Sequence, residues 1–225
     1  MNFSWPVNIN DAKAVQTILR DKVKIIPLRK SPQFIAGVDA AFTEDKVIGV
    51  ACLYKYPELI PLAEAFAIMK CLFPYIPGFL SFREGPAIVE AVRKLKVKPD
   101  VIIFDGQGIA HPKGLGIASH IGVLLNIPAI GCAKSRLTGE YREPGIRKGR
   151  SSPLRLKGRT IGAVLRTRDN VNPVFISPGH LVDLKSSVGI VLGCVGKFRI
   201  PEPVRRADFL SKKIKKDRKT SGVFY

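Results

Sequence analysis

The chain reads as an α/β domain built on a mixed sheet, and three observations predict it. Phe34–Phe42, Val47–Tyr56 and Leu62–Met69 are apolar segments joined by polar turns too short for a parallel crossover, so they pair antiparallel. Further on, an apolar run at Val101–Asp105, a helical stretch at Ile117–Asn126 and a second run at Ala129–Ala133 alternate as a parallel βαβ unit does. The chain has 225 residues, 46% of them apolar, with neither an internal repeat nor a linker-like stretch. It therefore suits one ordered domain over residues 1–225.

Taken in order, Asn10 to Ile25 predicts a helix. Asn10 or Asp11 serves as its N-cap, and Ala14, Val15, Ile18, Leu19 and Val23 form its apolar stripe. Of the three strands that follow, the third is the least strand-like, because its alanines and Glu64 also suit a helix. "CLFPYIPGFLSFREGP" (Cys71–Pro86) then sets prolines and glycines among aromatics. Glu84 to Lys96 predicts a helix with an acid in its first turn and lysines in its last, as the helix dipole favours. Residues 138–158 are polar, basic and rich in glycine and proline, which predicts a surface excursion. Thr160–Thr167 and Pro173–Ser177 read as strands, Leu181–Leu192 as a helix opened by "SPGH", and Val204–Lys216 as a last basic helix. From about residue 211, "SKKIKKDRKTSGVFY" reads as a basic tail that frays, adding salt-sensitive affinity for a polyanion but nothing to chemistry.

Charge narrows the partners. There are 37 basic and 18 acidic residues, a net +19, and the pI is near 10.1. A surface this positive draws polyanions: nucleic acid first, an anionic membrane or the ribosome otherwise. No apolar run approaches the roughly 20 residues of a membrane-spanning helix. "MNFSWPVNIN" lacks the positive and apolar regions of a signal peptide. Cys52, Cys71, Cys132 and Cys194 form no C-x-x-C pair. That argues against structural zinc and a disulfide framework, and makes the cytoplasm the default compartment.

Three acids stand out against this background. Asp39 lies inside the first strand, between Val38 and two alanines; Glu84 opens the helix after the proline-rich loop; Asp105 ends "VIIFD". Each has an ordinary reading as a turn or cap residue. An ionised carboxylate in an apolar strand is nevertheless costly without a positive partner, and a divalent cation both pairs with it and gives it a purpose. Oxygen ligands with few nitrogens or sulfurs favour Mg2+, with Mn2+ as a substitute, over zinc. Acids around a metal on a positive surface suit hydrolysis of a phosphodiester. A metal-dependent nuclease leads on this pattern, with a non-catalytic nucleic-acid binder and other enzymes open. "GQGIAHPKGLG" is a poor dinucleotide fingerprint, since His111 stands where the third glycine belongs. Gly106 and Gly108 instead allow close approach of a ligand to the backbone.

Separated blocks carry a resemblance: "FIAGVDAAF", "FPYIPGFLSFREGP", "PDVIIFDGQGIAHPKGLGIASHIG", "IPAIGCAKSRL", "FISPGHLVDLKSS" and "RIPEPVRRADF". From about Phe34 to Asp208 the chain resembles the endonuclease V family (deoxyinosine 3′-endonucleases) of the ribonuclease H-like superfamily. The resemblance implies a ribonuclease H-like mixed sheet, three antiparallel strands followed by βαβ, flanked by helices. The first strand would lie beside the one that opens the βαβ unit, so that Asp39 and Asp105 meet as primary metal ligands and Glu84 completes the site. Asp208, in "RRAD", matches a position that holds Asp or His, with a contact to metal through water. Lys134 matches an active-site lysine placed on the scissile phosphate. His111 is expected at the base or the phosphate, while His120 and His180 read as structural.

Pro74, Tyr75, Ile76 and Pro77 match a wedge that separates the strands while the damaged nucleotide rotates into a pocket, which Gly78, Leu80, Gly106 and Gly108 would line. The implied activity is repair of DNA containing deaminated bases, chiefly hypoxanthine, in double or single strands. The cut would fall at the second phosphodiester 3′ to the lesion and leave a 3′-hydroxyl and a 5′-phosphate. The enzyme would act as a monomer. An endoribonuclease for inosine-containing RNA, or another ribonuclease H-like nuclease such as a junction resolvase, is the nearest alternative.

Overall fold

Strand β1 (Phe34–Phe42) is where antiparallel and parallel pairing meet. The computed structural model describes residues 4–221, with side-chain surroundings as far as Asp217. On one side β1 pairs antiparallel with β2 (Lys46–Lys55), which pairs with β3 (Ile60–Lys70) at the sheet's edge. On the other side it pairs parallel with β4 (Val101–Phe104), and β4 with β5 (Ala129–Ala133). The sheet then turns antiparallel again through β8 (Val174–His180), β7 (Arg159–Leu165) and the far edge strand β6 (Ser151–Leu156).

Alternation along β1 and β4 sends side chains into two cores. Ala36, Val38, Ile102 and Phe104 pack under α2 (Leu80–Arg93) and α3 (Ile117–Leu125). Ile35 and Ile103 pack with residues of α4 (Leu184–Gly193) and with Val204 of α5 (Glu202–Ser221). Helix α5 also covers Ile48, Val50 and Cys52 of β2. All four cysteines are free, three of them fully buried, as a thiol acting as a small hydrophobe should be.

The antiparallel trio and the βαβ unit lie where the sequence puts them, and the doubtful third segment is a full strand. Other boundaries move. Helix α1 (Ile9–Arg20) is capped by Asn8, which accepts from the Asp11 N–H, and it ends five residues short of Ile25. Its buried face is Ala12, Gln16 and Leu19, while Ile18 is 57% exposed. The face is set by a small aromatic core of Phe73, Phe79 and Phe82, against which Ala12 packs. The same core starts α2 at Leu80, four residues earlier than expected, with Pro86 inside the helix. Glu84 therefore sits in the second turn rather than the first.

Strand β6 falls within the expected excursion. Only Leu154 of β6 is buried, and Pro153 is tolerated on an edge strand. The rest of that excursion is held by Arg166. Its buried guanidinium donates to the carbonyls of Pro144, Gly145 and Val171 and to Glu143. "SPGH" continues β8 instead of opening a helix, and α4 is capped by Asp183, which accepts from the Ser186 N–H at 2.8 Å. The basic tail is helical as far as Ser221, and Ser211, at its expected start, is fully buried. Residues 222–225, also read as part of the fraying tail, lie outside the described residues.

Gly37 sets how closely α5 approaches the sheet. A Cβ there would lie 2.1 Å from the Pro203 carbonyl carbon, so the first turn of α5 rests on bare β1 backbone. Gly37→Ala should cost about 1–3 kcal/mol by overpacking, read as a lower urea midpoint at unchanged slope; an unchanged midpoint would show that α5 can shift without loss.

Candidate active site

Strand register makes Asp39 and Asp105 neighbours. Val38 of β1 pairs with Phe104 of β4, so the next residues stand side by side, about 4.8 Å apart across the ladder. Both belong to the set of alternate residues that faces α5, and α5 supplies Asp208. Carboxylate oxygens of Asp39, Asp105 and Asp208 lie within 4.8 Å of one another. Glu84 approaches from α2, on the opposite face. It lies outside this converging set but close enough to feel the charges of Asp39 and Asp105. Asp208, expected at the periphery, is thus one of the three convergent acids, and Glu84, expected among the ligands, stands beside them.

Like charges this close need compensation. Lys134, just past β5, donates to Asp105 Oδ2 at 2.5 Å and reaches Asp208 Oδ1 at 3.4 Å. Lys212, one turn after Asp208 on α5, donates to both Asp208 oxygens at 2.7 and 2.8 Å. Ser211 Oγ donates to Asp39 Oδ2 at 2.8 Å. Burial lifts the Asp39 carboxyl to about 6; the Ser211 hydrogen bond works against this, and the charges of Asp105 and Asp208 add to it. Burial, then Asp39 and Asp105, lift Glu84 to about 8. Burial would also raise Asp208, but hydrogen bonds from Lys212 and the charges of both lysines outweigh it and leave it below the ordinary range. Ser211 and Lys212 were missed in the sequence. Their signal is the i+3 and i+4 spacing from Asp208, which means something only once the tail is known to be helical.

Beside the acids opens a cavity of about 430 Å³, within the range of small-ligand pockets. Its wall includes Tyr75, Ile76, Pro77, Gly78 and Leu80 on one side and Asp105, Gly106, Gln107, His111 and Lys134 on the other. Pro74 is exposed and off that wall. Tyr75 is 71% exposed at the tip of its loop, whose base is fixed by Phe73 and Phe79 in the aromatic core. Pro77 and Gly78 occupy the centre of a tight turn closed by the Phe79 N–H on the Ile76 carbonyl at 3.0 Å. Gly78, at φ +83°, takes the position where only glycine is unstrained.

The Gly78 carbonyl accepts from Gln16 Nε2 at 3.1 Å, so α1 braces the loop. His111 is buried and neutral, its basicity lowered to about 4 by burial. One ring nitrogen hydrogen-bonds the Gly78 backbone, and Nδ1 accepts from the Lys113 N–H at 3.2 Å. Gly108 is behind the wall: its N–H donates to Ser177 Oγ at 2.8 Å, and a Cβ would strike the Pro178 carbonyl. The Gly106 N–H donates to the Phe104 carbonyl. Gly108 therefore serves close packing, while Gly106 lines the cavity with its N–H turned back on its own chain. His120 and His180 are structural, on Ser81 and on the Lys24 N–H respectively.

A family model described as Endonuclease V matches residues 17–209. The chain belongs to the endonuclease V family. A relative from Geotalea uraniireducens is 49% identical, over 93% of this chain and 89% of its own. The crystal structure of endonuclease V from Streptomyces avermitilis superposes with a TM-score of 0.91 at 40% identity, covering 96% of each chain. Endonuclease V from Ciona intestinalis, solved with a 24-mer DNA containing an inosine followed by a ribo-adenosine, gives 0.80 at 28% identity, over 92% of this chain and 98% of that one. The ribonuclease H-like fold is therefore shared with solved endonuclease V structures. No helix among the described residues is long and apolar enough to cross a membrane.

The raised acids make a stability test. Without a cation, Asp39 and Glu84 bind protons more tightly folded than unfolded, so stability falls as pH rises, through about 6 for Asp39 and on to about 8 for Glu84. In EDTA the wild type should melt progressively lower from pH 6.5 to pH 8, a range above the titration of the buried histidines, whose lowered values act in the opposite sense below it. Asp39→Asn should flatten that profile and gain about 1 kcal/mol at the upper end. Mg2+ should raise the wild-type melting temperature at pH 8 and leave Asp39→Asn unmoved; a matching response in the two would remove Asp39 from the cation's seat.

Proposed function

We propose that this endonuclease V family member nicks DNA at deaminated bases, chiefly hypoxanthine, hydrolysing the second phosphodiester 3′ to the lesion and leaving a 3′-hydroxyl and a 5′-phosphate. The observation that carries the reading is the juxtaposition of three convergent carboxylates with a base-sized cavity, Asp105 being common to both. Inosine-containing DNA bound to the Ciona relative supports the choice of lesion. The donor set fits Mg2+, with Mn2+ as a substitute, because it is all oxygen and gathered tightly enough to need a cation. Asp39, Asp105 and Asp208 would hold the ion, with Glu84 as the fourth acid. When bound, such an ion activates water and stabilises the attacking and leaving oxygens of an in-line displacement.

The chain's own groups do the rest. Lys134, with Nζ already between Asp105 and Asp208, places its charge on the scissile phosphate. Tyr75, backed by its rigid loop, fills the gap left when the lesion rotates out of the stack. Helix α2 begins at the cavity with Leu80 and Ser81, and the first N–H groups of a helix have no acceptor inside it. Those donors suit the O6 of hypoxanthine, where adenine presents an amino group instead. One continuous sheet supports a single catalytic domain, which would act as a monomer, and four free cysteines suit work in the cytoplasm. Inosine-containing RNA is a second reading, favoured by the ribonucleotide that follows inosine in the Ciona complex.

The decisive assay is nicking of an inosine duplex with Mg2+ or with EDTA: activity only with the metal is expected, and no cut in either would overturn the reading. Asp105→Ala should bring nicking below detection while the protein still binds inosine DNA; retained nicking would unseat the acidic centre. Tyr75→Ala should lower the ratio of inosine to undamaged cleavage by about 10-fold, since a stacked base is worth roughly 1–3 kcal/mol. An unchanged ratio would leave the loop without a wedge role.

A further inference from the structure

We infer that a groove along α5 carries the substrate strand on the side of the acidic centre away from the base cavity. This rests on the reading of the site as a lesion-directed nuclease. The cavity meets the centre at Asp105 and Lys134, and the groove meets it at Asp208. A strand with its base in the cavity and a phosphate at the centre must therefore leave over α5.

What waits there suits a nucleic acid backbone. The groove, about 420 Å³, is lined by Arg205, Asp208, Phe209, Lys212, Lys213 and Lys216. Arg205, Phe209, Lys212, Lys213 and Lys216 follow the i, i+4, i+7, i+8, i+11 spacing of one helix face. Its one lining acid, Asp208, has both oxygens bound by Lys212, and Arg205 is paired with Glu202, so Lys213 and Lys216 leave the outer groove net positive. Phe209 is 50% exposed, with the Arg206 guanidinium 5.3 Å from its ring centroid, and its position among lysines leaves it available to stack on a base. A basic track with an aromatic platform binds single strands without regard to sequence. An acidic protein partner would also meet the charge, but it would have no reason to lie in line with the scissile bond.

The test compares inosine strands that end just past the scissile bond with strands that run well beyond it. For Phe209→Ala/Lys213→Ala/Lys216→Ala, KM on the long strand should rise about 10-fold with kcat preserved, while KM on the short strand stays at the wild-type value. The logarithmic salt slope of binding should become shallower by about 1.4, the share of two phosphate contacts on a single strand. Lys213→Arg/Lys216→Arg should keep wild-type behaviour. Should the triple variant melt early, Lys213→Glu/Lys216→Glu, altering exposed side chains only, carries the same comparison. Equal losses on both strands, or none, would overturn the assignment and give the face to a protein partner. If the wild type nicks neither strand but its EDTA-state binding still depends on these side chains, the lesion reading falls and the groove stands. Binding indifferent to them would sink the groove as well.

Discussion

Carboxylates a few ångströms apart repel, and this fold is arranged to hold Asp39, Asp105 and Asp208 together against that repulsion. Parallel pairing of β1 and β4 sets the first two at one strand spacing and leaves them little freedom to part. Helix α5 brings the third, and it can do so because Gly37 lets the helix rest on the strand backbone. Lys134 and Lys212 supply the countercharge and Ser211 a hydrogen bond, yet Asp39 and Glu84 remain hard to ionise. Two acids held above their ordinary range suit the divalent cation proposed for the site, which would compensate them better than an ammonium does.

How much of this was legible follows from locality. The strands and both strand-borne acids can be read directly, because an apolar run that stops at a carboxylate contrasts with a basic chain. Glu84 was visible as an acid but misplaced by a turn, because the aromatic core that starts α2 at Leu80 joins residues distant in sequence. The places of Asp208, Ser211 and Lys212 depend on α5 crossing β1, a contact to which no local pattern testifies. The end of strand β8, read as stopping at Ser177, hid for a different reason. Pro178 and Gly179 mimic a turn, but Pro178 lies beyond the end of the β7 pairing, where its missing N–H costs no ladder bond. The sequence signal for β6 was equally faint, since an edge strand with one buried side chain shows no alternation.

The cavity is stiff at its base and exposed at its tip, and the two properties depend on each other. Phe73, Phe79 and Phe82 anchor the loop, and Gln16 and His111 converge on the Gly78 backbone. His111 can act as such a brace because burial keeps it neutral, one nitrogen donating and the other accepting. An exposed Tyr75 on a floppy loop would lose ordering entropy each time it entered a duplex; on a braced loop most of that cost is met during folding. On the proposed reading helix α1, which touches none of the acids, would contribute to lesion recognition through one carbonyl.

The same separation explains an acidic centre on a chain of net charge +19. Long-range attraction to DNA needs net positive charge, whereas the metal needs local negative charge, and the two conflict unless they differ in range. Here the acids are close together and partly buried, so their field is largely neutralised within one or two contacts by Lys134 and Lys212. The excess cations lie outward, and α5 carries both kinds on a single helix: Asp208 facing the sheet and lysines facing solvent. On the proposed reading, positioning of the scissile bond and attraction of the strand would both depend on the same helix, and a shift of α5 would disturb both at once.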